Sequence, residues 1–311
     1  MVRHMSIKKI VVVLLLILST TLIIFTTSCD NDTGSDISDD NPSNTVGPTD
    51  SIESERKLYT VKVFSEGGMA LTDIEVYIYT DNTLKELVWV AKTNSEGAVS
   101  FTDSINANAV ILLKNVPSGY EYKNEYHIEG AITTIKLSTA LIKLEDMSAQ
   151  SFKKGDIICD FQFKDTDGVV HKVSEVLKSN KAVVLNFWYK NCMPCKMEFP
   201  HLSAAYDKYS DKLELFAMNP IDSSAQVIAD YKRDNNLSFP MGSCNFNFES
   251  MFNLRAYPTT IVIDRYGMIS FIYSGTIPDT EIFSSIFDYY TKDDYVQSIV
   301  NSVDDILRKT D

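Results

Sequence analysis

Hydrophobic positions change period several times along this chain. An apolar stretch of 16 residues runs from Ile10 to Phe25, behind Arg3, Lys8 and Lys9. Residues 29–57 are dominated by Asp, Ser, Asn, Thr, Gly and Pro, too polar to bury a core. From 58 to 143 the apolar positions alternate with period two, as in Tyr59, Val61 and Val63, then Val76 and Ile78. Further strands are expected at Val110–Leu113 and Ile132–Leu137. Gly67-Gly68, Asp81-Asn82, Ser95-Glu96-Gly97 and Pro117-Ser118-Gly119 supply turns between them. Short alternating strands with regular turns predict a β-sandwich. Beyond a joint at 144–154 the run Ala182–Tyr189 is apolar almost throughout, as in a strand buried on both faces. An amphipathic stretch follows it. Near the C-terminus a helix is expected over 279–291. Val296, Ile299, Val300, Val303, Ile306 and Leu307 predict another, opened by Asp293.

Between the buried strand and the amphipathic stretch stands Cys192-Met193-Pro194-Cys195. Two thiols with this spacing at a helix start suit thiol–disulfide exchange. Helix N-terminal amides stabilise a thiolate on the first cysteine, and the second lies within reach of a mixed disulfide on the first. Pro194 fits an early helix position. Half a zinc site is the competing reading, but no second C-x-x-C exists and His4, His127, His171 and His201 are scattered. Neither a metal nor an organic cofactor is expected.

The stretch Asn186-Phe187-Trp188 through Cys192–Pro200 resembles the TlpA-like branch of the thioredoxin family. Phe161-Gln162-Phe163 with Asp167-Gly168 is similar to the family's N-terminal hairpin. Tyr257-Pro258-Thr259-Thr260-Ile261-Val262-Ile263-Asp264 is similar to its cis-proline loop and following strand. The resemblance covers about 152–309. It implies an α/β thioredoxin-like domain at 155–309, a central mixed sheet flanked by helices, with a separate all-β sandwich before it. It also implies a protein disulfide oxidoreductase. Two departures stand out: Asn191 replaces the usual Trp before the first cysteine, and Cys159 replaces a proline. Tyr189 lies where a peroxiredoxin would carry Thr or Ser, which argues against a peroxidase.

The resemblance also implies roles. Cys192 is the nucleophile, expected to be the more exposed thiol, and Cys195 resolves the mixed disulfide. Pro258, if cis, together with Tyr257 and Trp188, forms the substrate-binding surface. Thioredoxin carries a buried Asp where this chain has Asn186, and an amide is no base. Glu198, three residues after Cys195, is the carboxylate placed to tune the pair, unless it is an ordinary solvated helix residue. Pro200 is expected to kink the helix. Cys159 and Cys244 are open to a second disulfide, a relay role for Cys244, or burial as free thiols, which is favoured.

Thr26-Thr27-Ser28-Cys29 resembles a bacterial lipobox, with Thr26 where Leu is usual. Residues 1–28 are thus read as a lipoprotein signal peptide, Cys29 as the lipidated residue and 29–57 as a flexible tether. The 28 residues from Asp30 to Lys57, as a flexible chain, span roughly 30 Å root-mean-square. Removing residues 1–28 takes away three basic residues and no acid, so the formal charge moves from −13 to −16. Such a chain is not expected to bind nucleic acid. It would meet a membrane through its lipid. The segments 71–79, 93–101 and 116–120 resemble transthyretin-like CnaB modules, which implies a spacer, or else a substrate-docking module.

These readings combine into an extracytoplasmic thiol–disulfide oxidoreductase on a bacterial membrane, acting as a reductase. Its partners would be exported protein thiols and disulfides and a membrane thiol–disulfide electron donor. A surface-binding or adhesion lipoprotein with a vestigial redox domain is the alternative from another class.

Overall fold

The computed structural model describes residues 56–147, 151–222, 224–244 and 247–310. The signal segment, Cys29 and most of the expected tether lie outside them. The first strands are β1 (Lys57–Ser65), β2 (Glu75–Tyr79), β3 (Leu87–Lys92) and β4 (Ala98–Asp103). They are followed by β5 (Val110–Lys114), β6 (Tyr120–Glu121), β7 (Tyr126–His127) and β8 (Ile132–Thr139). They form two four-stranded sheets, ordered β4-β1-β8-β6 and β3-β2-β5-β7. β1 and β8 run parallel; the other pairs are antiparallel. The period-two positions face inward: Val61, Val63, Val76, Ile78, Ile111, Leu113, Ile135 and Leu137 are all buried in one cluster.

That cluster also contains Ile157 and Met268 from the second half of the chain. Gly67 lies so close to this half that a Cβ there would come 2.5 Å from the Tyr266 ring. The described residues accordingly form one compact unit, in which the two halves share core and backbone hydrogen bonds.

The second half opens with the hairpin β9 (Gln162–Lys164) and β10 (Val170–Lys172), then α1 (Val173–Lys178). Next come β11 (Ala182–Phe187), α2 (Met193–Tyr209), β12 (Leu213–Asn219), α3 (Ala225–Asp234), β13 (Met241–Ser243) and α4 (Phe248–Met251). β14 (Thr259–Ile263), β15 (Ile269–Ser274), α5 (Thr280–Thr291) and α6 (Val303–Thr310) complete the chain. The mixed sheet is ordered β13-β12-β11-β14-β15, with β11, β12 and β13 parallel and β14 and β15 antiparallel to their neighbours. β11 is central and wholly buried. Val183, Leu185 and Phe187 point to a core with the hairpin, α1 and α4. Val184 and Trp188 point to the core under α2, α5 and α6. Asn186 shares the parity of Val184 and Trp188.

The C-terminal helix begins ten residues later than the apolar spacing predicts. Up to Val303 the segment after α5 is irregular, because its backbone finds tertiary partners: Gln297 N donates to Gly67 O at 2.8 Å and Val300 N to Ser270 O at 3.0 Å. Val296 and Ile299 are exposed while Gln297 and Val300 are buried, so the apolar spacing there does not mark a helix face. α2 runs unbroken from Met193 to Tyr209 with Pro200 inside it.

Candidate active site: a cysteine pair beside a buried carboxylate

Cys192 caps α2, and the Cys195 amide donates to its Sγ at 3.2 Å. A sulfur at this position receives the positive end of the helix dipole, which favours a thiolate once the pair is reduced. Cys192 and Cys195 are joined by a disulfide, with Cα atoms 5.3 Å apart. The sequence reading made Cys192 the exposed thiol. In this oxidised pair both cysteines are covered, Cys192 at 1% and Cys195 at 0% exposure. Met193 and Met197 of the same helix are 64% and 59% exposed.

Tyr257–Pro258 is a cis peptide bond. The Tyr257 phenol donates to Glu249 at 2.5 Å, and its ring meets Tyr189 edge-on with centroids 5.4 Å apart. Burial, and then Glu249, push this phenol well above its ordinary range. Trp188, expected at the substrate surface, has no exposed area. It packs between Phe199 and Tyr231, with centroids 5.2 and 5.0 Å away. It therefore underlies the loop before Cys192 and cannot touch a substrate from there. The period-two pattern of β11 carried this information, since Trp188 follows Val184 and Asn186 onto the face beneath α2. Tyr189, half-buried beside Tyr257, is the aromatic that sequence reasoning did not assign to the site.

Glu198 is fully buried one helical turn after Cys195. Its Oε1 accepts from Asn186 Nδ2 at 2.9 Å and its Oε2 from the Ile277 amide at 3.0 Å. Burial pushes its carboxyl up to about 7, against the pull of these two hydrogen bonds. The solvated-helix reading of Glu198 is thereby excluded. Asn186 Nδ2 also donates to Thr260 Oγ1 at 3.1 Å. Nothing in the local sequence points to the Ile277 amide, 79 residues from Glu198.

A pH prediction follows from this burial. A carboxyl whose native pKa exceeds its unfolded value binds its proton more tightly when folded. Its contribution to stability is greatest below about pH 4.5 and falls as pH rises to about 7. Glu198→Gln removes that fall. Relative to the parent, the oxidised variant should gain about 2–3 kcal/mol of unfolding free energy between pH 4.5 and pH 8. Urea unfolding of both proteins at the two pH values measures this.

Residues 154–272 match the AhpC/TSA family model. The thioredoxin-like protein YneN of Bacillus subtilis is 29% identical over 132 residues, which is 42% of this chain and 76% of that one. The thiol-disulfide oxidoreductase ResA of Halalkalibacterium halodurans is 30% identical over 125 residues, 40% of this chain and 69% of its own length. This chain belongs to the thioredoxin-like thiol-disulfide oxidoreductase family. Among solved structures, StoA from Bacillus subtilis aligns with a TM-score of 0.36 and 24% identity, over 40% of this chain and 94% of its own.

Among the described residues the oxidoreductase has two further cysteines, both free, Cys159 buried and Cys244 partly so. Burial pushes the Cys159 thiol up to about 12 and Cys244 upward too. Both are thus protonated thiols, poor nucleophiles at neutral pH. Among the described residues no group of three or more His, Cys, Asp or Glu could hold a metal ion. Among them, too, no helix is long and apolar enough to cross a membrane.

Proposed function

We propose that this oxidoreductase reduces disulfides of exported proteins from a membrane-anchored, extracytoplasmic position. The Cys192 thiolate attacks one sulfur of a substrate disulfide. The other substrate sulfur leaves and takes up a proton. Cys195 then attacks the Cys192 sulfur, releasing the second substrate thiol and restoring the Cys192–Cys195 disulfide. A thiol–disulfide donor at the membrane returns two electrons and two protons. Glu198, with a carboxyl near neutrality, exchanges protons at the pair. Tyr257 and Pro258 border the substrate, with Tyr189 beside them and Trp188 as support. Lipidated Cys29 and the polar segment after it tether the unit, and the β-sandwich acts as a CnaB-like spacer.

The observation that carries this reading is the Cys192–Cys195 bond at the first turn of α2, within one turn of a buried carboxyl. The test is trapping. Full-length Cys195→Ser produced in a bacterial envelope should accumulate exported proteins on Cys192 that dithiothreitol releases. A Cys192 that stays free, with no such adducts, would overturn the reading in favour of a binding protein with an idle redox domain.

A further inference from the structure

Among the described residues no charged group compensates the burial of Glu198. From β11 it meets Asn186 and from the segment before α5 the Ile277 amide; the Cys192–Cys195 disulfide lies one turn earlier on α2, and Thr260 of β14 is reached through Asn186. None of these is a charged side chain, and none contributes a charge to its titration. Asn186 is itself fully buried, and its Oδ1 has no hydrogen-bond partner. A fully buried amide carbonyl without a donor is costly. Here the orphan atom belongs to the one side chain that holds the acid.

The geometry points to Asn186 as a positioning residue for the exchange reaction, a fixed N–H donor that holds Glu198 and favours its ionised form. Nδ2 donates to Oε1 and to Thr260 Oγ1, and this orientation is kept although it leaves Oδ1 unpaired. An aspartate could not do this. Two carboxylates 2.9 Å apart cannot both ionise, and one would be locked as the acid. The neutral amide donor favours the Glu198 carboxylate without adding a second charge to the buried site.

This inference rests on the role given to Glu198 above, and the experiment separates the two. The Glu198 carboxyl is followed by carbon-13 NMR in the oxidised full chain, where the pair does not titrate. The pH profile of dithiothreitol-driven insulin reduction is recorded for the same proteins. Asn186→Leu removes the donor that pulls the carboxyl down. The midpoint should rise by about one unit or more, and the acid limb of the activity profile should move with it. Asn186→Ser, too short to reach, gives the same shift if the leucine variant fails to fold. In a Glu198→Gln background neither substitution should move the profile, whereas a merely structural asparagine would act equally in both. Variants that titrate like the parent overturn the assignment of Asn186. A Glu198→Gln chain with the parent's pH profile overturns the role of Glu198 instead, and the NMR midpoint still decides Asn186.

Discussion

Replacing Cys192 with serine is expected to bring insulin reduction down to the rate of dithiothreitol alone. The hydroxyl keeps the cap but cannot form the mixed disulfide through which exchange proceeds. Cys195→Ser is expected to lose turnover as well, while leaving Cys192 open to alkylation. Its thiol should titrate at about 7 or below, because it lies at the N-terminus of a 17-residue helix and the Cys195-position amide points at its sulfur. Alkylation rate against pH reads this directly; a midpoint near the ordinary thiol value of about 8.5 would remove the helix-start argument. Cys159 and Cys244 should not substitute, since burial raises both.

The second large effect concerns stability. Asp264 is fully buried at the β14–β15 turn. Its Oδ1 accepts from the Tyr266 and Met268 amides, both at 3.0 Å, and from Gln297 Nε2 at 3.4 Å. Its Oδ2 accepts from Ser270 at 2.9 Å and from the Tyr295 phenol at 3.1 Å. The Gln297 amide in turn reaches Gly67 of the β-sandwich. Asp264→Ala leaves several buried donors unpaired at once. It should cost about 3–5 kcal/mol in urea unfolding, with a loosened C-terminal segment. A loss under about 1 kcal/mol would mean that water replaces the carboxylate. Because this turn lies at the end of the sheet opposite Cys192, whatever folded protein remains should reduce insulin at the parent rate.

Much of this architecture is legible in the chain itself. The continuous run Ala182–Tyr189 marks the buried central strand, since a strand covered on both faces has no polar parity. Cys192-Met193-Pro194-Cys195 marks the helix start, and Phe161–Phe163 with Asp167-Gly168 marks the hairpin. Alternation from 58 to 143 marks the two sheets. What was not legible depends on partners distant in sequence. Glu198 reads equally well as solvated or buried until the Ile277 amide, 79 residues away, closes over it. The segment before α6 reads as helix because its apolar residues fall at three- and four-residue spacing. Yet its amides bond to Gly67 and Ser270, so no helical turn forms there. The family resemblance puts Trp188 at the surface, whereas the parity of β11 sends it beneath α2. The burial of Cys192 is not legible either, because it comes from tertiary packing into the core under α2.

The Cys192–Cys195 pair is expected to turn over as a dithiol–disulfide couple. Insulin reduction by the parent chain with dithiothreitol tests it most directly. Insulin should precipitate well before it does with dithiothreitol alone, in proportion to the amount of chain added. A parent chain no faster than dithiothreitol alone, with its pair shown by mass to be reduced, would contradict it.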